Sequence, residues 1–448
     1  MSVVFSLNHF NRDKQNEIDK MLTFVPIQQK KFNNSFNIHT PPEAPIKCYH
    51  VSNNKLHLPY RFACALTKKI HNMGEYPKLS PQKSLVFKGT LLPRQKEPYQ
   101  MALDYIARFN TCTIALYPGF GKTFIGCMLS HKLNLITCIL VHRESIGKQW
   151  IKSFKSYIPG LQDCDLWYVD DKVNPDAKIM VCMSGRTDKI PESLRSTVGT
   201  LIIDEAHCFC SETRIKPLLS FSPRFIIAET ATPIKDNGLH RVIQSIAGTH
   251  YIKRTSTKPH NCYIIQTGLE FITESRNPFT ELVGQQCDSI VRNNLILSIV
   301  KDNPNKKIMI ASPRTNHCDT LCKLIEEATS IIPSKLYGTI KNYKTSKVLV
   351  GTTSKMGVGF DEANFCDDYD GKPSDLLIIT QSFKSWPMFE QVRGRGMRAD
   401  TPTIVYLNDK HSITKRHMSI MRKWIKESNG TIIESKLDKN QNLTTKII

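Results

Sequence analysis

Residues 113–123, TIALYPGFGKT, leave little choice of local fold. A short apolar run enters a turn rich in Pro and Gly, and Gly121, Lys122 and Thr123 open into the apolar run FIGCML. Strand, loop and helix in that order make a cradle for phosphate. Gly119 and Gly121 let backbone N–H groups close on an anion, and the start of the helix adds its positive end. Leu116, Tyr117, Pro118, Gly119, Phe120 and Gly121 then form the loop. Lys122 reaches the β- and γ-phosphates of a nucleotide, and the Thr123 hydroxyl ligates Mg²⁺. Leu116 stands where the G-x-x-x-x-G-K-[ST] pattern has its first Gly. An ordinary strand–helix turn is the competing reading, and it leaves unexplained why Lys-Thr directly follows Gly-x-Gly.

About 80 residues further on, the apolar run TLII delivers Asp204, Glu205, Ala206 and His207. At a strand end, Asp204 would hold Mg²⁺ and Glu205 would polarise the water that attacks a γ-phosphate. His207 is either a satisfied polar residue or a reporter of hydrolysis to another part of the chain. The next strand, RFIIA, runs into Glu229, Thr230, Ala231, Thr232 and Pro233. The Thr230 and Thr232 hydroxyls either couple the carboxylate cluster to its surroundings or belong to a plain Thr-Pro turn. Upstream, residues 99–106 have helical apolar spacing. Gln95 before them either reads an adenine edge or merely starts that helix.

The domain expectations follow from these anchors. Residues 1–85 are polar, with short mixed runs: 21–27 looks like a strand and 61–66 starts a helix. They form either a small accessory domain or an arm on the next one. Residues 86–250 form the first α/β domain, with further buried-type strands at 136–141 and 178–183. The stretch 251–281 reads as linker. Residues 282–430 repeat the α/β pattern, with strands near 306–312, 348–353 and 376–380 and a helix over 317–328. Residues 431–448 read as a basic tail with a frayed end. In the second α/β unit Gly359 and Asp361 follow a strand, and Gln391, Arg395 and Arg398 crowd a segment with two glycines. Arginine forks onto phosphate oxygens, so Arg395 and Arg398 are candidate arginine fingers. A contact with a nucleic-acid backbone is the alternative.

The formal net charge of +21 fits a polyanionic partner. The 14 cysteines form no C-x-x-C pair, so they read as reduced packing thiols of an intracellular, soluble protein rather than zinc ligands. The longest apolar run is far too short to span a bilayer.

Taken in order, Gln95, GFGKT, DEAH, TATP, GVGFD and Gln391-x-x-Gly394-Arg395-x-x-Arg398 resemble helicase superfamily 2, in particular its DEAH-type members. The loop variant and compact length are most similar to poxvirus-type helicases of large DNA viruses. The resemblance implies two tandem RecA-like parallel-sheet domains with ATP in a cleft between them, and ATP and Mg²⁺ as cofactors. In it Gln95 reads adenine, Lys122, Thr123, Asp204 and Glu205 handle phosphates, metal and water, and His207, Thr230 and Thr232 couple hydrolysis to strand binding. Gly359 and Asp361 border the nucleotide, while Gln391, Arg395 and Arg398 complete the site. The implied activity is unwinding of DNA with 3′ to 5′ polarity, and RNA is the less favoured polymer. A double-strand translocase that leaves strands paired and a non-enzymatic nucleic-acid-binding scaffold stand as alternatives. Transcription or replication proteins are the expected partners. Viral factory, virion, and host nucleus or cytoplasm are the expected locations.

Overall fold

The computed structural model describes residues 2–27, 44–71, 76–79, 85–234, 237–357, 359–437, 443–445 and 447. The chain divides into two compact units, Met1–Leu116 with Phe120–Arg254, and Tyr117–Gly119 with Thr255–Ile448.

The first unit begins with short strands β1 (Ser2–Ser6), β2 (Thr23–Phe24), β3 (Ile46–Lys47), β4 (His50–Ser52) and β5 (Lys55–Pro59). β1, β5 and β4 make a three-stranded antiparallel sheet. Helix Arg12–Leu22 occupies the start of the 21–27 run read as strand, and only Thr23 and Phe24 are extended. Helix Tyr60–Thr67 lies where helical spacing placed it. The buried side chains of this segment, among them Ile18, Leu22, Leu58 and Tyr60, join Leu140, Ile203, Ala228 and Val242 in one core. The described residues of this segment are therefore not a separate domain; they cover one face of the first large sheet.

That sheet contains β6 (Thr111–Leu116), β7 (Thr137–Val141), β8 (Leu166–Tyr168), β9 (Ile179–Met183), β10 (Thr200–Ile203), β11 (Phe225–Thr230) and β12 (Tyr251–Arg254). Its order is β12-β6-β11-β10-β7-β9-β8, and every pairing is parallel. Strands buried on both faces need continuous apolar sequence, which is how TLII and TCILV read. Alternation sends Leu201 and Ile203 to the N-terminal layer and Ile202 to the opposite face. Every strand of a parallel sheet points its C-terminal end to one edge. Neighbours β6, β11, β10 and β7 therefore deliver four sequence-distant loops side by side.

The second unit holds β13 (His260–Glu270), β14 (Ile308–Ser312), β15 (Ser334–Leu336), β16 (Val348–Thr352), β17 (Leu376–Ile379), β18 (Thr403–Lys410) and β19 (Gly430–Lys436). Its order is β15-β16-β14-β17-β18-β13-β19, again all parallel. Much of the stretch read as linker is strand: β12 completes the first sheet and β13 lies inside the second. Cys262, Tyr263, Ile264 and Ile265 are all buried. Such an unbroken apolar run lacks the period-two alternation that marks a half-exposed strand. The start of the tail is likewise β19, a half-exposed strand whose alternation is masked by Glu434, Ser435 and Lys436.

Two elements of the second unit are tied by one buried ion pair. The Asp409 carboxylate on β18 accepts from Arg292 Nε at 3.1 Å, Gln286 Nε2 at 2.7 Å and Thr267 Oγ1 at 2.5 Å. No helix among the described residues is long and apolar enough to cross a membrane. Truncating Arg292 strands a buried carboxylate, so Arg292→Ala is expected to cost about 3–5 kcal/mol in urea unfolding. Arg292→Met with Asp409→Leu should recover most of that loss, because the pair is then removed together.

Candidate functional site

The loop between β6 and helix Lys122–Leu133 has the backbone of an anion cradle. Gly119 and Gly121 have φ of +83° and +100°, in the region that favours glycine. A Cβ on Gly121 would also sit 2.4 Å from Gln95 Nε2. Gly121 is the N-cap of that helix, and no side chain caps the helix start. Its first N–H groups are thus available to an anion.

Gln95 braces this loop. Its Nε2 donates to the Phe120 carbonyl at 2.9 Å, and its Oε1 accepts from Leu92 N at 2.9 Å. The side chain is buried and holds the loop to the start of helix Pro93–Phe109. Reading an adenine edge falls to whatever hydrogen-bonding capacity those two contacts leave. Lys122 Nζ donates to the Leu116 carbonyl at 3.1 Å, so the ammonium is folded over the loop.

From β10 come Asp204 and Glu205. Asp204 Oδ2 accepts from Trp150 Nε1 at 2.7 Å, and Oδ1 accepts from Glu205 N at 2.8 Å. Burial raises the Asp204 pKa, and the Glu205 charge adds to the rise. Glu205 takes a left-handed backbone, φ +49°, which turns its side chain out of the strand direction. Burial opposes its charge too, but the His207 imidazole beside it and the charge of Lys122 hold it down at about 2. His207 Nδ1 lies 3.3 Å from Glu205 Oε2 and 2.9 Å from Thr230 Oγ1 on β11. Burial disfavours the imidazolium, yet contacts with Cys208 and Glu205 push His207 up to about 10. Thr230 Oγ1 in turn accepts from Thr232 N at 3.0 Å. The order Glu205, His207, Thr230, Thr232 is a continuous contact chain from one strand end to the next. The Thr232 hydroxyl is buried without a hydrogen-bond partner.

Sequence reasoning passed over three participants. Trp150 was visible only as an apolar helix residue; its indole N–H orients Asp204. Glu229 on β11 is fully buried with neither carboxylate oxygen hydrogen-bonded. Burial and the Asp204 charge keep it well above the usual carboxylate pKa. His142 follows β7 and places buried ring nitrogens beside the cluster. None of the three sits in a recognisable motif, and strand adjacency is the signal that would have found them.

In the second unit, Arg395 is buried and its guanidinium donates to the Met356 carbonyl at 3.1 Å and to the Gly357 carbonyl. Arg398 Nη2 donates to Asp361 Oδ2 at 2.9 Å, and the other Asp361 oxygen caps Ala363 N. Gln391 is buried on the same helix, Trp386–Gly396, and Gly359 has φ +74°. The structure thus gathers Gly359, Asp361, Gln391, Arg395 and Arg398 around one turn. Both arginines must exchange present partners before either could meet a phosphate.

Comparison with known proteins agrees with this geometry. Residues 88–235 match the family described as type III restriction enzyme, res subunit. A helicase-named protein of Invertebrate iridescent virus 6 is 26% identical over 86% of this chain and 91% of its own length. Another, from Frog virus 3, is 24% identical over 73% of this chain and 75% of its own. Among solved structures, an HsdR-subunit fragment of a type I restriction enzyme from Vibrio vulnificus shares the fold. It superposes with a TM-score of 0.59 at 14% identity, covering 80% of this chain and 71% of that one. Saccharomyces cerevisiae Dbp5, bound to RNA and ADP–beryllium fluoride, gives 0.55 at 11% identity over 75% and 89%. Both show tandem RecA-like sheets of the kind seen here.

The chain is similar to superfamily 2 helicases, and the matched family and the helicase-named relatives support an ATP-hydrolysing enzyme. Within that class it is similar to the helicases of large DNA viruses, the iridovirus proteins among them.

The Glu205–His207 pair has a defined pH signature. A raised His207 pKa contributes stability in full below about pH 6.5, and loses it as pH rises toward 10. The lowered Glu205 pKa contributes in full above about pH 4.5, and loses it as pH falls toward 2. Thermal melts of the native chain and His207→Ala should therefore differ most between about pH 4.5 and 6.5 and converge by pH 10. A gap that widens with rising pH would contradict the ion pair.

Proposed function

We propose that the first unit's strand-end cluster hydrolyses the γ-phosphate of ATP, and that the energy drives movement along nucleic acid with separation of its strands. The observation that carries this reading is the convergence of Lys122, Asp204 and Glu205 beside an uncapped helix start. Lys122 exchanges the Leu116 carbonyl for β- and γ-phosphate oxygens. Thr123 and Asp204 would hold Mg²⁺, which would supply neutralisation of phosphate charge. One carboxylate, one hydroxyl and substrate oxygens are the donor set this small hard cation takes. The fit is supported by Asp204, each of whose oxygens is spent on one neutral N–H donor. Glu205, held ionised by His207 and Lys122, orients and polarises the attacking water. His207, Thr230 and Thr232 relay the state of that site along β11. Arg395 and Arg398, released from the 356–357 carbonyls and Asp361, are the second unit's candidates for neutralising phosphate charge. Gln391 accompanies them, and Gly359 and Asp361 border the nucleotide.

The favoured polymer is DNA, read with 3′ to 5′ polarity. The net charge of +21 supports a polyanionic track of either kind. RNA is the second reading, favoured by African swine fever virus relatives that are named as ATP-dependent RNA helicases and are 26% identical over 133 residues. Transcription or replication proteins are the partners such a motor would meet.

Lys122→Ala is expected to lower nucleic-acid-stimulated ATP turnover by about 10²–10³-fold. Arg395→Ala should lower kcat by a similar factor while leaving nucleotide affinity within a few-fold, because the arginine acts on the transition state. Stimulation by single-stranded DNA, duplex DNA and RNA across a salt series selects the polymer. Unimpaired turnover in Lys122→Ala would remove the mechanism. Displacement of a third, triplex-forming strand without unwinding of a tailed duplex would favour a double-strand translocase.

A further inference from the structure

Cys208 differs from the other thiols of this chain. Most are buried among apolar groups, where burial pushes the thiol up, as at Cys112, Cys138 and Cys262. Cys208 is partly exposed and follows His207 directly. Its Sγ lies 3.4 Å from His207 Nε2. The His142 imidazole flanks the same sulfur from the loop after β7, and the neighbouring Arg143 guanidinium is within Coulomb reach. Arg214, on helix Glu212–Leu219, donates to the Cys208 carbonyl at 2.7 Å and fixes the backbone. Glu205 is the carboxylate on its own segment, and it is already paired to His207.

We propose that Cys208 is a peroxide-sensitive thiolate whose oxidation to sulfenic acid displaces His207 and reversibly switches off hydrolysis. Cysteines react when cationic neighbours stabilise the thiolate at a site that small molecules can reach, which describes this cluster. Burial would raise the thiol pKa, but His142 and His207 bring it down to about 6. The sulfur attacks one peroxide oxygen. An S–O bond forms, the O–O bond breaks, and two electrons pass from sulfur to peroxide. The departing hydroxide takes the His207 proton and leaves as water. The added oxygen occupies the space between sulfur and ring, and the neutral imidazole loses its ion pair with Glu205. The relay to Thr230 is broken until a thiol reductant restores the cysteine.

The activity readout rests on the helicase reading; the sulfur chemistry does not. The full chain is treated with iodoacetamide across pH 5–8, and its peptides are quantified by mass spectrometry. Cys208 should be alkylated about tenfold faster than the exposed Cys164 at pH 6.5, with its rate inflecting near pH 6. Hydrogen peroxide should cut nucleic-acid-stimulated ATP turnover about tenfold, dithiothreitol should restore it, and dimedone should trap the sulfenic acid at Cys208. Cys208→Ser should keep untreated turnover and resist peroxide. Labelling of Cys208 no faster than Cys164 would overturn the proposal, as would peroxide inactivation of Cys208→Ser equal to that of the native chain. Absence of turnover before treatment would sink the helicase reading alone, because the labelling ratio of the native chain still decides the chemistry. The same ratio decides it if Cys208→Ser fails to fold.

Discussion

Three carboxyl groups, Asp204, Glu205 and Glu229, share the ends of two adjacent strands in a dry part of the first unit. Charges so placed repel one another and resist leaving water. The protein resolves the conflict by treating each differently. Glu205 stays ionised against His207 and Lys122. Asp204 is steadied by an indole and a backbone amide. Glu229 has its pKa raised by burial and by the Asp204 charge, which favours its neutral form. Burial first, and then the charge of a neighbouring carboxylate, raises the pKa of both Asp204 and Glu229.

Much of that arrangement was legible in the sequence. The apolar strand, the glycine turn and the Lys-Thr pair fixed where the cradle stands, because glycine-rich loops between a strand and a helix have few other uses. The Asp204–His207 run was legible for the same reason: polar residues directly after an apolar strand mark its C-terminal end. Trp150, His142 and Glu229 were not legible. Their roles arise from which strands lie side by side, and the order β6-β11-β10-β7 is set by crossover packing rather than by local residue preference. The Gln95 expectation shows the limit from another side. Its position before the loop was read either as a base contact or as a helix start, and neither reading named the bracing of the loop backbone that its amide provides.

The second unit was read less completely. Its central strands follow helical crossovers and announce themselves. β13 does not, since it follows Pro259, carries Gly268 within it and is apolar on both faces over Cys262–Ile265, and β19 carries enough charge to pass for a tail. Together with β18 they are three of the seven strands of a sheet in which β14, β16 and β17 were recognised. The arginines in and just after the Trp386–Gly396 helix tell a related story. Their density marked them out, but Arg395 and Arg398 hold backbone carbonyls and Asp361, so they help to shape the turn at 356–361 as well as carrying charge.

The placement of β13 bears on how the protein is made. The first unit has all its strands once Arg254 has emerged from the ribosome. β13 follows within a few residues, yet both of its neighbours, β18 and β19, are encoded near the other end of the second unit. At about 5–20 residues per second, that strand waits on the order of ten seconds with both edges bare. Its apolar core, Cys262 to Ile265, is the segment a nascent-chain chaperone would find uncovered longest.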